Sequence, residues 1–394
     1  MNILHIPSWY PSKNNPIRGI FIKKQIEAIR DFDSNTHIVL IWHNTTSYSL
    51  KNPVLFVFKL LLTLRKYTVK AEKNIKYINF NYFNSYYSVF GNNEERLQKK
   101  ITKIAVTVHS KYHVDLIHAH VTYPGGYIAE YMKACFKIPY IITEHMGPFP
   151  FDYFKTDFKR KIINPIQNAN KVIAVSNFQA KEINLCTGAY PSVIPNVIDE
   201  REFTFGNKQN INSDFIFLLV GGLSSIKGVD ILIRAIKHLK DQGVTNFKVE
   251  IVGNGEILQD LKKLAVEIEV NNVIEWSDGL NRNKVVESFK NSNCFISASR
   301  HESFGVALVE ALACGKPVIS TRSGGPEDTI NQENGVLVEK ENPVELSKAM
   351  KWMMEDIDSF DSFKIRQDYE NKYSRKVIAE KYLNIYNEVK NMNI

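Results

Sequence analysis

Short apolar runs that stop at glycine or polar clusters recur through the second half of the chain, and stretches of helical period separate them. Residues 215–220 (FIFLLV) stop at Gly221-Gly222 and give way to an amphipathic pattern over 229–240. Residues 249–252 stop at Gly253-Asn254-Gly255, and a helical pattern follows to 267. Runs at 273–276, 294–297, 318–320 and 336–338 continue the series. Short strands that alternate with helices predict βαβ units around a parallel sheet. Glycines at the strand ends suit the tight βα turns where such sheets bind ligands. The first half alternates less cleanly, with strands expected at 3–6, 37–42, 116–118, 140–143 and 172–175, and helices at 23–30, 94–109, 127–134 and 178–185. An aromatic and basic region at 48–92 fits no pattern. The polar run 207–214 (NKQNINSD) reads as a linker, and 375–389 as a lone amphipathic helix. The expected fold class is therefore α/β, with two doubly wound, Rossmann-like domains that leave a cleft between them.

At 394 residues the chain has room for two such domains, each with a core of its own. Fifty basic against 42 acidic residues leave a charge of +8, which favours anionic partners without choosing among them. No helix-turn-helix or RNA-binding signature accompanies that charge, so no nucleic acid is expected. The four cysteines form no C-x-x-C pair, and so few in a chain of this length read as reduced thiols in the cytoplasm. No signal peptide is expected from MNILHIP, and the longest apolar run, 53–64, falls short of the roughly 20 residues that span a bilayer. The run 53–70 (PVLFVFKLLLTLRKYTVK) carries basic residues at intervals, so it suits either a membrane interface or an ordinary buried helix.

The densest chemistry lies in 299–318. A strand ends near Ser297, a polar loop follows, and a helix is expected from about Phe304. Glu302 then stands just before the helix and Glu310 in its second turn. The amides of Phe304 and Gly305 at the helix start can donate to a phosphate or a sugar hydroxyl. A carboxylate such as Glu310 accepts two hydrogen bonds, which suits the vicinal hydroxyls of a ribose. By spacing alone, the plainer reading is that Glu302 is an N-terminal helix charge and Glu310 a solvated position.

Glu302-x7-Glu310 within HESFGVALVEALACGKPVI (301–319) resembles the signature of the GT4 family of retaining, nucleotide-sugar-dependent glycosyltransferases. GGPED (324–328) follows it as in that family, and VGGLSSIKG (220–228) is similar to its glycine loop ending in Lys-Gly. Upstream, SWYPSKNNPIRGIF (8–21), HAHVTYPGG (118–126), TEH (143–145), AVSNF (174–178) and IPNVID (194–199) stand in family order. The resemblance implies the GT-B fold. Residues 1–206 would be the acceptor-binding domain and 207–374 the nucleotide-sugar domain, with a helix in 375–394 that crosses back to pack on the first.

The resemblance also implies roles. Glu310 would bind the donor ribose, and Glu302 would sit beside the donor sugar, helped by the amides of Phe304 and Gly305. Lys227 would contact the diphosphate, Gly19 would let the N-terminal loop approach the phosphates, and His120 would reach the donor sugar. His118 is read as structural, pointing away from His120. Retention is expected to proceed on one face of the sugar, with the leaving phosphate helping to deprotonate the acceptor. Neither a cofactor nor a metal is expected, and Asp31-Phe32-Asp33 and Asp356-Ile357-Asp358 are not read as metal ligands. The partners implied are a nucleotide sugar, UDP- or GDP-linked, and a glycan or polyprenyl-linked acceptor, with peripheral contact at the inner face of the cytoplasmic membrane. One departure stands out: the arginine usual five residues before the lysine is Gly222, with Arg18 and Arg300 as candidates to replace it. The alternatives are a GT-B sugar-nucleotide epimerase and a basic, non-catalytic binding protein. A dinucleotide dehydrogenase would need G-x-G-x-x-G at the start of a βαβ helix, which neither glycine pair completes.

Overall fold

In the computed structural model, residues 1–12, 17–48, 67–85, 93–149, 157, 159–205, 214–277 and 281–392 are described. Most of the apolar-basic run, 53–66, and the polar linker at 207–213 lie outside them. The chain forms two compact units. One comprises Met1–Val175, Ala180–Ile194 and Ala379–Ile394, and the other Ser176–Gln179 and Pro195–Ile378.

The first unit is built on a sheet of order β3-β4-β2-β1-β5-β6-β7-β8. The strands are β1 (Asn2–Pro7), β2 (His37–Tyr48), β3 (Thr68–Glu72), β4 (Ile75–Ser85), β5 (Leu116–His120), β6 (Tyr140–Glu144), β7 (Lys171–Ala174) and β8 (Ser192–Val193). All pairs are parallel except β3 with β4. Helices Ile20–Phe32, Asn93–Tyr112 and Tyr127–Phe136 cover the sheet with the apolar stripes that their periodicity gives them. Leu4, Ile6, Val39, Ile117 and Ile142 form the centre of the core. The region with no legible pattern holds the antiparallel β3–β4 hairpin, whose edge strand is exposed throughout. Sheet order reverses at β1, so the switch point lies between β1 and β5.

The second unit repeats the plan with β9 (Phe215–Val220), β10 (Phe247–Val252), β11 (Ile274–Ser277), β12 (Cys294–Ser297), β13 (Val318–Thr321) and β14 (Gly335–Val338). Their order is β11-β10-β9-β12-β13-β14, and every pair is parallel. Here the switch point lies between β9 and β12. Helix Val229–Asp241 buries Val229, Leu232, Ile236 and Leu239 against the sheet, as its 3.6-residue period requires.

The boundary expected at 206/207 moves to 194/195. Phe203 is fully buried and meets Phe289 edge-on at 5.6 Å. Arg366 donates to the Phe203 carbonyl at 2.5 Å, and the Tyr369 hydroxyl donates to the Ile198 carbonyl at 3.0 Å. These ties hold residues 195–205 in the second unit. Helix Arg375–Asn391 begins there too, with the Arg375 amide donating to Glu200 Oε2 at 3.1 Å, and from Ala379 it belongs to the first unit. Among the described residues, no helix is long and apolar enough to cross a membrane.

Removing a fully buried aromatic side chain typically costs about 3–5 kcal/mol. Phe203→Ala should therefore destabilise the second unit by that amount, read as a lower urea midpoint at unchanged slope, and leave the first unit's transition in place. A shift confined to the first unit would return 195–205 to it.

Candidate functional site

In the second unit, the chains leaving β9 and β12 bring their charged residues together at the switch point. After β9 the backbone turns through Gly221 and Gly222 into a single 3-10 turn, Ser225–Lys227, and then helix Val229–Asp241. Gly228 joins the two with φ 60, and a Cβ there would fall 2.0 Å from the Ala298 carbonyl oxygen. Only glycine permits that approach of the β9 loop to the end of β12. Lys227 Nζ thereby reaches Glu302 Oε2 at 2.5 Å. The Glu302 amide donates to Ser323 O at 2.9 Å, and its carbonyl accepts from the Gly325 amide at 2.7 Å. The Gly324-Gly325 loop thus holds Glu302 from both sides. Helix Val306–Ala313 follows, with Gly305 as its N-cap at φ 92 and Phe304 buried against Tyr373. The first amides of a helix have no acceptor within it, so this start is suited to anions.

Glu310 is not a solvated position. It is buried, and Arg282 Nη2 donates to its Oε1 at 2.7 Å. Arg282 Nε donates to Glu202 Oε1 at 2.7 Å, and the guanidinium lies 4.5 Å from the centre of the Phe203 ring. Burial pulls the Arg282 pKa down, but Glu310 and Glu202 outweigh it and the net shift is upward. Sequence reasoning missed Arg282, Glu202 and Phe203. A charged arginine just after the 274–277 strand was the one signal, and nothing local tied it to a glutamate 28 residues on.

Arg300 does not replace the arginine absent at Gly222. Both its terminal nitrogens bond Asp230, at 2.9 and 2.8 Å, its Nε donates to Glu341 at 2.5 Å, and Nη1 also donates to Ser225 O at 2.5 Å. Hydrogen bonds from Arg300 hold the Asp230 carboxyl below its usual range. Arg300 therefore fixes the Ser225–Lys227 turn instead of offering a free guanidinium. Arg18 is exposed in the first unit. At Gly222, nothing lies within 4 Å of where a Cβ would stand.

The first unit collects histidines at its own switch point. His5 is on β1, His118 and His120 are on β5, and His145 follows β6. The first three are fully buried and His145 is 8% exposed. His118 does not point away from His120, because residues two apart on a strand share a face. Their rings stack with centroids 4.2 Å apart. His118 bonds Tyr386 Oη at 2.7 Å and Thr143 Oγ1 at 2.8 Å, which makes it a structural residue held by the C-terminal helix. His120 has both ring nitrogens engaged, Nε2 with His5 Nδ1 at 3.0 Å and Nδ1 with His145 Nε2 at 3.3 Å. Burial pushes His5 down to about 3 and His118 and His120 well below their ordinary value, so all three are neutral at pH 7.

His5, His118 and His120 are also the group of described residues close enough to hold a metal. Both nitrogens of His118 and of His120 are already bonded, which fits a hydrogen-bonded network better than a ligand set. Val121, next to His120, has φ 71, a conformation costly for a β-branched residue. Glu144 accepts from the amides of Thr122, His145 and Met146 and from Thr122 Oγ1, fixing the loop that carries His145. Gly19 is buried at the N-cap of helix Ile20–Phe32.

Residues 200–373 match the family described as glycosyl transferases group 1, and 88–202 match glycosyltransferase family 4. The chain is 29% identical over 266 residues to an uncharacterized glycosyltransferase of Methanocaldococcus jannaschii, across 63% of this chain and 68% of that one. It is 27% identical over 370 residues to Bacillus subtilis TuaC, a glycosyltransferase named for teichuronic acid biosynthesis, covering 89% and 88%. Among solved structures it is similar to sucrose-phosphate synthase from Thermosynechococcus elongatus, with TM-score 0.75, 17% identity and 99% of each chain covered. It is also similar to Anabaena HepE in complex with UDP, with TM-score 0.72, 18% identity, and 98% and 100% covered. At these identities the structures show the fold alone, which is GT-B.

Breaking a buried ion pair from one side typically costs about 3–5 kcal/mol, and partial exposure lowers the figure. Arg282 is 30% exposed, so Arg282→Ala should destabilise the second unit at the lower end of that range. Adding Glu310→Gln should recover part of the loss, because the stranded charge is gone. A double variant as unstable as the single one, by chemical denaturation, would contradict this.

Proposed function

We propose, for a chain that belongs to the GT4-type glycosyltransferases and has their GT-B fold, that it moves a sugar from a nucleotide-sugar donor to a glycan or polyprenyl-linked acceptor with retention of configuration. The observation that carries this reading is the Lys227–Glu302 pair at the second unit's switch point, beside a helix start and a buried carboxylate. A nucleoside diphosphate fits that set of groups. Glu310 takes the ribose hydroxyls, while Lys227 and the amides of Phe304 and Gly305 take the phosphates. In this reading Lys227 leaves Glu302 for the diphosphate, and Glu302 is released to the sugar hydroxyls.

The anomeric C–O bond to the diphosphate breaks, and the bond to the acceptor oxygen forms on the same face. The acceptor's proton passes to the departing phosphate oxygen. Lys227 and the helix start stabilise the charge that develops on the leaving group, so the reading requires no metal. Assembly of a bacterial surface polysaccharide is the proposed setting, on the strength of the likeness to TuaC. A cytoplasmic location is supported by four unpaired thiols.

A panel of UDP- and GDP-sugars, assayed for nucleoside diphosphate release with and without glycan or polyprenyl-phosphate acceptors, tests the reading. Acceptor-dependent release and an axial or equatorial product linkage matching the donor's are expected. An isomerised sugar released without acceptor would favour an epimerase, and no release with any donor would overturn the reading.

Three substitutions separate the roles. Glu310→Ala should weaken calorimetric binding of nucleoside diphosphate and nucleotide sugar alike, by about 1–3 kcal/mol. Glu302→Ala should cut turnover far more than nucleotide affinity, and equal losses in both would mean that the roles are exchanged. A Cβ at Gly222 meets nothing within 4 Å, so Gly222→Arg should tighten diphosphate binding by up to roughly tenfold, as one added charge-assisted hydrogen bond allows. Unchanged or weaker affinity would show that the open space at Gly222 does not face the phosphates.

A further inference from the structure

We propose that Phe178 is a positioning residue for Glu302 and acts through the Gly324-Gly325 loop, an inference that rests on the reading of Glu302 as the group that meets the donor sugar. Residues Ser176–Gln179 belong to the second unit, although the chain on either side of them belongs to the first. Within the second unit, Phe178 faces both halves of the backbone contact that holds Glu302. Its ring meets the His301 ring edge-on at 5.4 Å, one residue before Glu302. It also covers Gly324 so closely that a Cβ there would fall 2.4 Å from Phe178 Cδ1.

The place of the ring gives it leverage. Glu302 and Gly324 pair as an isolated parallel bridge. The Glu302 amide donates to Ser323 O, and the Gly325 amide donates to Glu302 O. Phe178 therefore presses on the residue that lies between those two hydrogen-bonding groups. Consecutive glycines have wide backbone freedom, and Gly324 sits at φ 115, where a side chain would be strained. Such a loop keeps one conformation only if something outside it excludes the others. The Phe178 ring does so by its bulk.

The ring is itself anchored. Ser176 Oγ accepts from the Gln179 amide at 3.0 Å, which caps the start of helix Asn177–Thr187. The Asn177 amide donates to Asp328 Oδ2 at 2.5 Å, and Asn177 Nδ2 donates to Asp328 Oδ1 at 3.3 Å. A carboxylate is favoured beside the first amides of a helix. Asp328 lies in helix Pro326–Thr329, directly after the two glycines. The loop under the ring is thus tied to the residue before the ring. Lys227 bonds the Glu302 carboxylate, whereas Phe178 bears on its backbone. Loss of the ring should therefore misplace the carboxylate while the groups assigned to the nucleotide stay intact.

Amide hydrogen exchange tests the clamp without reference to any reaction. In Phe178→Ala the Glu302 and Gly325 amides should exchange roughly tenfold faster, because the loop opens locally. The Phe295 amide, bonded to Pro317 O at 3.0 Å, should keep its rate. Turnover, which does rest on the glycosyltransferase reading, should fall roughly tenfold to a hundredfold, with donor KM and nucleoside diphosphate affinity changed by less than about twofold. Phe178→Tyr keeps the ring over Gly324 and should restore both exchange and turnover. Unchanged exchange at Glu302 and Gly325 in Phe178→Ala would overturn the proposal. So would faster exchange with full turnover, or equal losses of turnover and affinity. Faster exchange in a protein that transfers no sugar from any donor would count against the glycosyltransferase reading and for the clamp. Should Phe178→Ala not fold, Asp328→Ala at an exposed position takes its place, and an unchanged Gly325 exchange rate there would overturn the proposal.

Discussion

A parallel sheet opens a crevice only where neighbouring strands send their chains to opposite faces, and this constraint decides where chemistry can collect in both units. In the second unit the strands are β9 and β12, and Lys227 and Glu302 meet from the loops that follow them. Everything close by serves that meeting. Gly228 lets the two loops touch, Arg300 ties the lysine turn to Asp230 and Glu341, and the Gly324-Gly325 loop grips Glu302 by its backbone. The two charges are thus brought within reach of each other by the loops that carry them.

In the first unit the same geometry carries a different chemistry. At its switch point, between β1 and β5, the groups are imidazoles kept neutral by burial, not ions in pairs. One switch point therefore suits a phosphorylated, strongly anionic ligand, while the other holds uncharged imidazoles hydrogen-bonded to one another.

Strand and helix positions in the second half were legible because buried parallel strands are short apolar runs that end in glycine. β9 and β12 fall on the runs expected at 215–220 and 294–297. Glu302, Glu310 and Lys227 were legible through their motifs. Arg282 was not, since its meaning comes from Glu202 and Glu310, which are 80 and 28 residues away. His5 was hidden for the same reason: it reads as one more residue of a buried strand, and its partner is 115 residues on. The 195–205 segment was misassigned because a polar run marks a linker only if the residues before it do not pack onward, and Phe203 does. Motifs reveal residues that act within one loop, whereas residues that hold them in place are visible only once the strands are ordered.

The most direct test of the account is a crystal structure of the protein with a nucleoside diphosphate bound. The account predicts both ribose hydroxyls in hydrogen-bond range of the Glu310 carboxylate, the diphosphate against Lys227 and the start of helix Val306–Ala313, and the Lys227–Glu302 pair opened. A nucleotide bound elsewhere, or bound there with the pair intact and the lysine turned from the phosphates, would contradict it.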